Sequence, residues 1–262
     1  MPPPKRDAGT VVETVAENKR YRNAIDEMAE EFLCPITQEL PIDPVTAEDG
    51  RVYERSALKD WLDRRPEGQI KSPVTNEPMG KRLFPAVQVR NTIKSMVRSG
   101  AISGAKSDAW KQRIAEEEEV GAKRRAAEGG DARAMIALGG WYLNGKNGLE
   151  RDSKQAFTWF VKAADLDDPL GISMCGQMLC LGDGVEKDTT RGLIMLGQAA
   201  GMGSEFACFL IGDAYAKCKW GVRHNDKEAR KWFGKMAGFS TGSCRASQFM
   251  RDEAVAWLHE HW

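Results

Sequence analysis

Histidine is scarce in this chain, with three residues among 262, at positions 224, 259 and 261. Cysteine is little used: six residues, at 34, 175, 180, 208, 218 and 244, without the paired spacing of a metal site. Net charge is missing too, because 38 basic residues balance 38 acidic ones. No apolar run approaches a membrane span, and the start Met1-Pro2-Pro3-Pro4-Lys5-Arg6-Asp7 has no apolar signal region. Each absence excludes something. Balanced charge gives no argument for a nucleic-acid or membrane partner. Scattered cysteines read as reduced, buried thiols. No Ser-His-Asp, Cys-His or zinc arrangement stands out, so no catalytic residue, metal site or cofactor is expected. The chain reads as soluble and intracellular, cytoplasmic with the nucleus also open to it, although Lys5-Arg6 is too short to count as a nuclear signal.

Residues 1–10 combine prolines and charge without an apolar pattern and are expected to be disordered. Residues 11–30 place Val11, Val12, Val15, Ile25 and Met28 among charges, and read as a helix that packs on the following domain or pairs with a second copy. That domain, 31–100, opens with Phe32-Leu33-Cys34-Pro35-Ile36-Thr37. Pro35 fixes its own φ and pushes Cys34 toward extended geometry, so this turn is stiff. Ile36 is then either a docking knob presented to solvent or the start of a strand facing the core. Short β-type runs around Glu48-Asp49-Gly50 predict a hairpin. Leu58, Trp61 and Leu62 stand at helical spacing, and Pro66 and Gly68 end that helix. Lys71 to Met79 forms a second proline-stiffened loop. Leu83-Phe84-Pro85 then leads into a helix with Val89, Ile93, Met96 and Val97 on its apolar side.

This order resembles the U-box, the zinc-free relative of the RING finger. The resemblance is carried by Phe32-Leu33-Cys34-Pro35-Ile36, Asp43-Pro44-Val45, Gly50-Arg51-Val52-Tyr53-Glu54-Arg55, Trp61-Leu62, Ser72-Pro73-Val74-Thr75 and Leu83-Phe84-Pro85 before Ile93. A RING needs about eight Cys and His ligands around two zincs, and this segment holds one Cys and no His. A domain this small sits near the lower limit for an autonomous core, so polar side chains must cross-link the loops. Ser72, Thr75, Glu39, Glu54, Arg51 and Arg55 are candidates, which the sequence alone does not pair. The resemblance implies a ubiquitin ligase module without a catalytic nucleophile, binding a ubiquitin-conjugating enzyme in a shallow groove. By position it makes Ile36 the first-loop knob, puts Trp61 in the groove and makes Pro73 the second-loop contact. Asn76 stands where many U-boxes carry an Arg that helps lock ubiquitin in place; asparagine supplies neither charge nor a planar fork. Gln38 replaces an aromatic sometimes found in the first loop, and Ala86 replaces a preferred Asn, which puts one helix-capping bond in doubt.

Ser99 to Gly104 reads as a small-residue linker, and Trp110 to Ala127 as a helix; linker and connecting helix together span 101–120. Glu116 to Glu119 fan round that helix and cannot converge on one ion. Beyond it the chain repeats. Leu138-Gly139, Cys175-Gly176 and Ile211-Gly212 recur at spacings in the mid-thirties, as do Asp152, Asp188 and Asp226. Trp159-Phe160 returns as Trp232-Phe233, with Met195-Leu196 between. Such a period with two helices per unit marks an α-solenoid. The pattern over 121–244 resembles Sel-one-like repeats, relatives of the tetratricopeptide repeat. Gly201-Met202-Gly203 lacks a preceding strand and reads as an inter-repeat turn rather than a nucleotide loop. Repeat two lacks the Trp and Tyr, and repeat three has Lys217-Cys218-Lys219-Trp220 where Gly is usual, so its turn should be reshaped. Residues 245–262, with Phe249, Val255, Trp257 and Leu258, read as a capping helix over the last repeat's apolar edge. His259 and His261 fall on different sides of it and read as a polar helix end rather than a metal pair.

The fold expectation is a multidomain chain: a small α+β, zinc-free RING-like domain followed by an all-α solenoid of helix-hairpin repeats. The leading functional expectation is a ubiquitin ligase whose U-box recruits a charged conjugating enzyme while the repeats hold a protein substrate or adaptor. The alternative, motivated by Asn76 and Gln38, is a non-enzymatic scaffold that uses residues 10–100 to form a homodimer.

Overall fold

The computed structural model describes residues 28–66, 68–238 and 246–260. The expected disordered start, most of the leading helix, Cys244 and His261 lie outside the described residues. The chain divides into two compact units between Ala115 and Glu116.

In the first unit, a helical turn at 28–31 precedes the Cys34-Pro35 loop. Strands β1 (Pro44–Thr46) and β2 (Val52–Glu54) then pair antiparallel, with Val45 opposite Tyr53. The anticipated hairpin forms, its turn closed by the Ala47 N–H to Arg51 O bond at 3.0 Å and by Gly50 at φ 75°, a conformation that costs glycine nothing. Helix α1 (Arg55–Asp63) buries Leu58 and Leu62. A third strand, β3 (Phe84–Pro85), pairs with the free edge of β1 and gives the order β2-β1-β3. Sequence pattern misses it because it is two residues long and half proline, which only an edge strand tolerates. Helix α2 (Val87–Ser99) starts at Ala86 with no side-chain cap, so the doubtful capping bond is absent.

Two apolar clusters result. Val45, Tyr53, Leu58, Leu62 and Ile70 pack with Cys34. Leu40, Ile93, Val97, Ile102 and Trp110 form the other. The second one corrects the linker expectation: Ile102 is 3% exposed and its N–H donates to Met96 O at 3.1 Å. Helix α3 (Ala105–Glu128) begins earlier than expected and carries Trp110 into that cluster. Residues 99–104 thus make a tight, largely exposed turn pinned to the core by Ile102 rather than a free spacer.

The second unit starts with the rest of α3 and continues as three helix hairpins. These are α4 (Ala132–Asn144) with α5 (Ser153–Ala164), α6 (Pro169–Leu181) with α7 (Thr189–Gly201), and α8 (Glu205–Ala216) with α9 (Asp226–Gly238). Asp131, Asp168 and Ser204 cap the first helices by accepting from backbone N–H groups. Asp152 and Asp188 cap the second helices. In the third hairpin the cap is Asn225, one residue before Asp226, accepting from the N–H groups of Lys227 and Glu228 at 3.1 Å.

The repeated glycines sit under the repeated aromatics. A Cβ on Gly139 would lie 2.6 Å from the Phe160 ring, and one on Gly212 would lie 2.7 Å from Phe233. Repeat two, which lacks the aromatic pair, closes the hairpin with glycine on both helices: a Cβ on Gly192 would meet Gly176 O at 2.6 Å. The third turn is reshaped as anticipated, with Cys218 and Trp220 both in the left-handed region. Helix α10 (Gln248–Glu260) sets Trp257 5.3 Å from Phe233, and Arg251 reaches buried Glu205 at 2.8 Å. Phe249 and Val255 face away, 74% and 45% exposed, so only part of the expected apolar set covers the repeat. Among the described residues no helix is long and apolar enough to cross a membrane.

Candidate functional site

Three carboxylates tie the loops of the first unit together. Asp49, in the hairpin turn, accepts from Tyr53 OH at 2.7 Å and from Ser72 Oγ at 2.6 Å. Ser72 Oγ accepts in turn from the N–H groups of Val74 and Thr75, both at 3.1 Å, which fixes the start of the second loop. Partial burial pushes the Asp49 carboxyl up, but the Ser72 and Tyr53 hydroxyls and the Arg51 N–H outweigh it and hold the group below its ordinary value. Burial first, and then the bond to Asp49, raises the Tyr53 hydroxyl to about 12. Glu48 accepts from the N–H groups of Gly80 at 2.9 Å and Arg82 at 3.2 Å. Glu54 accepts from Ile42 N–H at 2.7 Å and Asp43 N–H at 3.3 Å, while Asp43 pairs with Arg55 at 2.5 Å.

Of the cross-link candidates, Ser72, Glu54, Arg55 and Glu39 do reach across the chain. Thr75 bonds only locally, to Glu77 N–H, and Arg51 contributes its backbone N–H. Asp49, Tyr53 and Glu48 were not among the candidates, because a turn Asp-Gly and a strand Tyr already have a local explanation. Among the described residues no three His, Cys, Asp or Glu side chains gather as a metal set.

This scaffold shapes an open groove of about 490 Å³ lined by Ile36, Ala57, Asp60, Trp61, Arg64 and Arg65. Ile36 stands in a turn rather than at a strand start and is half-buried, lining the groove on one side and packing against the Cys34–Leu58 cluster on the other. Trp61 donates its indole N–H to Lys71 O at 3.1 Å, tying the groove to the second loop. The guanidinium of Arg65 lies 3.5 Å from the Trp61 ring centroid and donates to Trp61 O at 2.8 Å. Pro73, half-buried, and Asn76, exposed, stand in the second loop but do not line this groove. Asn76 is left-handed, φ 59°, as is Gln38, and asparagine accepts that conformation better than most residues. Ala57, Asp60 and Arg64 were missed, yet with Trp61 they form one helical stripe at i, i+3, i+4 and i+7, a signal present in the sequence.

With that geometry in view, the class is clear. Residues 28–100 match the U-box domain, and 132–168, 169–204 and 206–237 match the Sel1 repeat. The chain carries a U-box followed by a solenoid of three Sel1 repeats. Its U-box is similar to that of "U-box domain-containing protein 43" of Arabidopsis thaliana, 34% identical over 29% of this chain and 10% of the relative. It is also similar to "Putative E3 ubiquitin-protein ligase LIN-1" of Lotus japonicus, 40% identical over 21% of this chain and 4% of the relative. The chain thus spans a tenth or less of the length of these relatives. A Sel1 repeat protein from Oxalobacter formigenes superposes with a TM-score of 0.42 and 28% identity, covering 55% of this chain and 98% of its own.

Proposed function

We propose that this chain is a ubiquitin ligase that works by positioning. The groove receives a charged ubiquitin-conjugating enzyme, with Ile36 and Trp61 as its apolar centre and Pro73 and Asn76 as second-loop contacts. The solenoid holds a protein substrate or adaptor, so that a substrate lysine meets the thioester at high local concentration. The observation that carries this reading is the pairing of Ile36 with Trp61 in one groove, with Trp61 bonded to the second loop through Lys71 O. The names of the similar proteins agree with it. No covalent intermediate on the ligase is needed: Cys34, the one cysteine of the U-box, is fully buried, and Cys175 and Cys180 are buried thiols pushed up to about 12 and about 11.

The test is autoubiquitination by the full chain against a panel of conjugating enzymes. Wild type should form conjugates, and Ile36→Ala or Pro73→Ala should slow them about tenfold, the effect of losing one central apolar contact. Cys218→Ser, which removes an exposed thiol, should change nothing. Asn76→Arg should accelerate discharge of the conjugating enzyme. A folded wild type that stays silent with every enzyme ends the ligase reading; a dimer by light scattering would then support the scaffold reading.

A further inference from the structure

The first loop is held from outside the U-box match. Five residues after Glu39 closes the loop through Cys34 N–H to Glu39 O, 2.9 Å, the chain has reached β1, and the segment between is tied by groups far along the chain. Glu54 takes the N–H groups of Ile42 and Asp43. Helix α3 takes the carbonyls of Pro41 and Leu40. Trp110 donates its indole N–H to Pro41 O at 3.1 Å, and Arg113, one turn on, donates to Leu40 O at 3.2 Å. The same guanidinium pairs with Glu39 at 2.9 Å and with Glu54, only 7% exposed, at 3.3 Å. One planar fork thus joins the last residues of the loop bearing Ile36 to the carboxylate that fixes the strand entry. Lysine has no such fork.

We propose that Arg113, seconded by Trp110, is a positioning residue for the conjugating-enzyme groove, so that the functional module extends past 100 to about residue 115. The inference rests on the ligase reading for its partner but not for its mechanism. Arg113 does not line the groove; it acts by holding the Glu39–Leu40 end of the first loop, and so the place of Ile36. The loop's other supports, the buried Cys34 and the local bonds of Thr37 and Gln38, set its shape without fixing its exit.

The experiment uses the full chain and two readouts. Amide exchange in the free protein compares Thr37–Leu40 with Val74–Glu77. Titration with a conjugating enzyme active in the assay above measures affinity. Arg113→Met should speed exchange in the first loop at least tenfold, leave the second loop unchanged, and weaken binding several-fold. Arg113→Lys should restore part of each. In an Ile36→Ala background, Arg113→Met should add little further loss, because both act through one side chain. Should Arg113→Met fail to fold, since it leaves Glu54 short of its partner, Trp110→Phe removes one hydrogen bond while keeping an aromatic, though smaller, side chain in the cluster, and should give the same pattern at smaller size. Unchanged first-loop exchange, or equal acceleration in both loops, overturns the inference. Absence of any binding by wild type, with first-loop exchange still answering to Arg113, would instead sink the partner reading and leave the brace standing.

Discussion

Cys34-Pro35-Ile36-Thr37-Gln38-Glu39 and Ser72-Pro73-Val74-Thr75-Asn76-Glu77 match in residue type at every position, and the backbone closes both in the same way. Residue one donates to residue six, Cys34 N–H to Glu39 O and Ser72 N–H to Glu77 O, each at 2.9 Å. Residue five returns to residue one, Gln38 N–H to Cys34 O at 2.8 Å and Asn76 N–H to Ser72 O at 3.1 Å. Residue five is left-handed in both, at φ 59°. The anchors differ. Cys34 is buried among apolar side chains, whereas Ser72 is buried on Asp49, and the remote brace is Arg113 for one loop and the hairpin turn for the other. Six residues are enough to dictate the shape of such a loop, and its placement comes from groups far along the chain.

The sharpest way to break this pairing is Asp49→Ala. It strips the acceptor from Ser72 and Tyr53 together, and hydrogen bonds to a charged group are each worth about 1.5–3 kcal/mol. The first unit should lose about 3 kcal/mol in denaturant unfolding. Exchange should quicken at Val74–Glu77 and hold steady at Ile36–Glu39. Equal quickening in both would mean that the loops are not separately held.

Swapping the anchors comes next. Cys34→Ser puts a hydroxyl among apolar side chains, at a cost of about 1–3 kcal/mol. Ser72→Cys weakens the bond to Asp49 and the two N–H contacts of Val74 and Thr75, and should cost about 2 kcal/mol. A neutral result for either swap would show that residue one is not the anchor of its loop.

The same contrast explains what the sequence reveals. Helical spacing, Asp-Gly turns and the proline loops are short-range signals, and they were legible, as was the solenoid, because its glycines and aromatics recur in register. Ile36 and Trp61 were legible through resemblance to a known pattern. Asp49 was not, since its role depends on Ser72, 23 residues away. Arg113 was less so, separated from Leu40 by 73 residues and lying in what reads as a connecting helix. A polar partner carries no periodicity, so nothing in its local neighbours announces it.

Protonation sharpens the comparison without mutation. Tyr53 rises from 10.0 to about 12 in the fold, so its contribution is complete below pH 10 and is lost as pH climbs toward 12. Asp49 is lowered from 3.8, so its contribution is complete above that value and falls away below it, as pH drops through the lower value of the folded state. Second-loop exchange, corrected for the intrinsic pH dependence of amide exchange, should be flat between these limits and accelerate outside them, starting before the first loop does. A first loop that loosens at the same alkaline pH would separate the effect from Tyr53.

The smallest expected effect lies at residue five. Asparagine is comfortable in the left-handed region because its short amide bonds locally, while glutamine pays more of the usual 1–2 kcal/mol steric cost. Replacing either by glycine removes that cost but adds about 0.4–1 kcal/mol of unfolded-chain entropy. Asn76→Gly should therefore be near neutral. Gln38→Gly should gain about 0.5 kcal/mol after forfeiting the exposed Nε2–H to Pro35 O bond, which is worth little in water. Matched unfolding curves for the two variants test this, and a Gln38→Gly loss larger than that of Asn76→Gly would mean that the Gln38 side chain, rather than its backbone, holds the first loop.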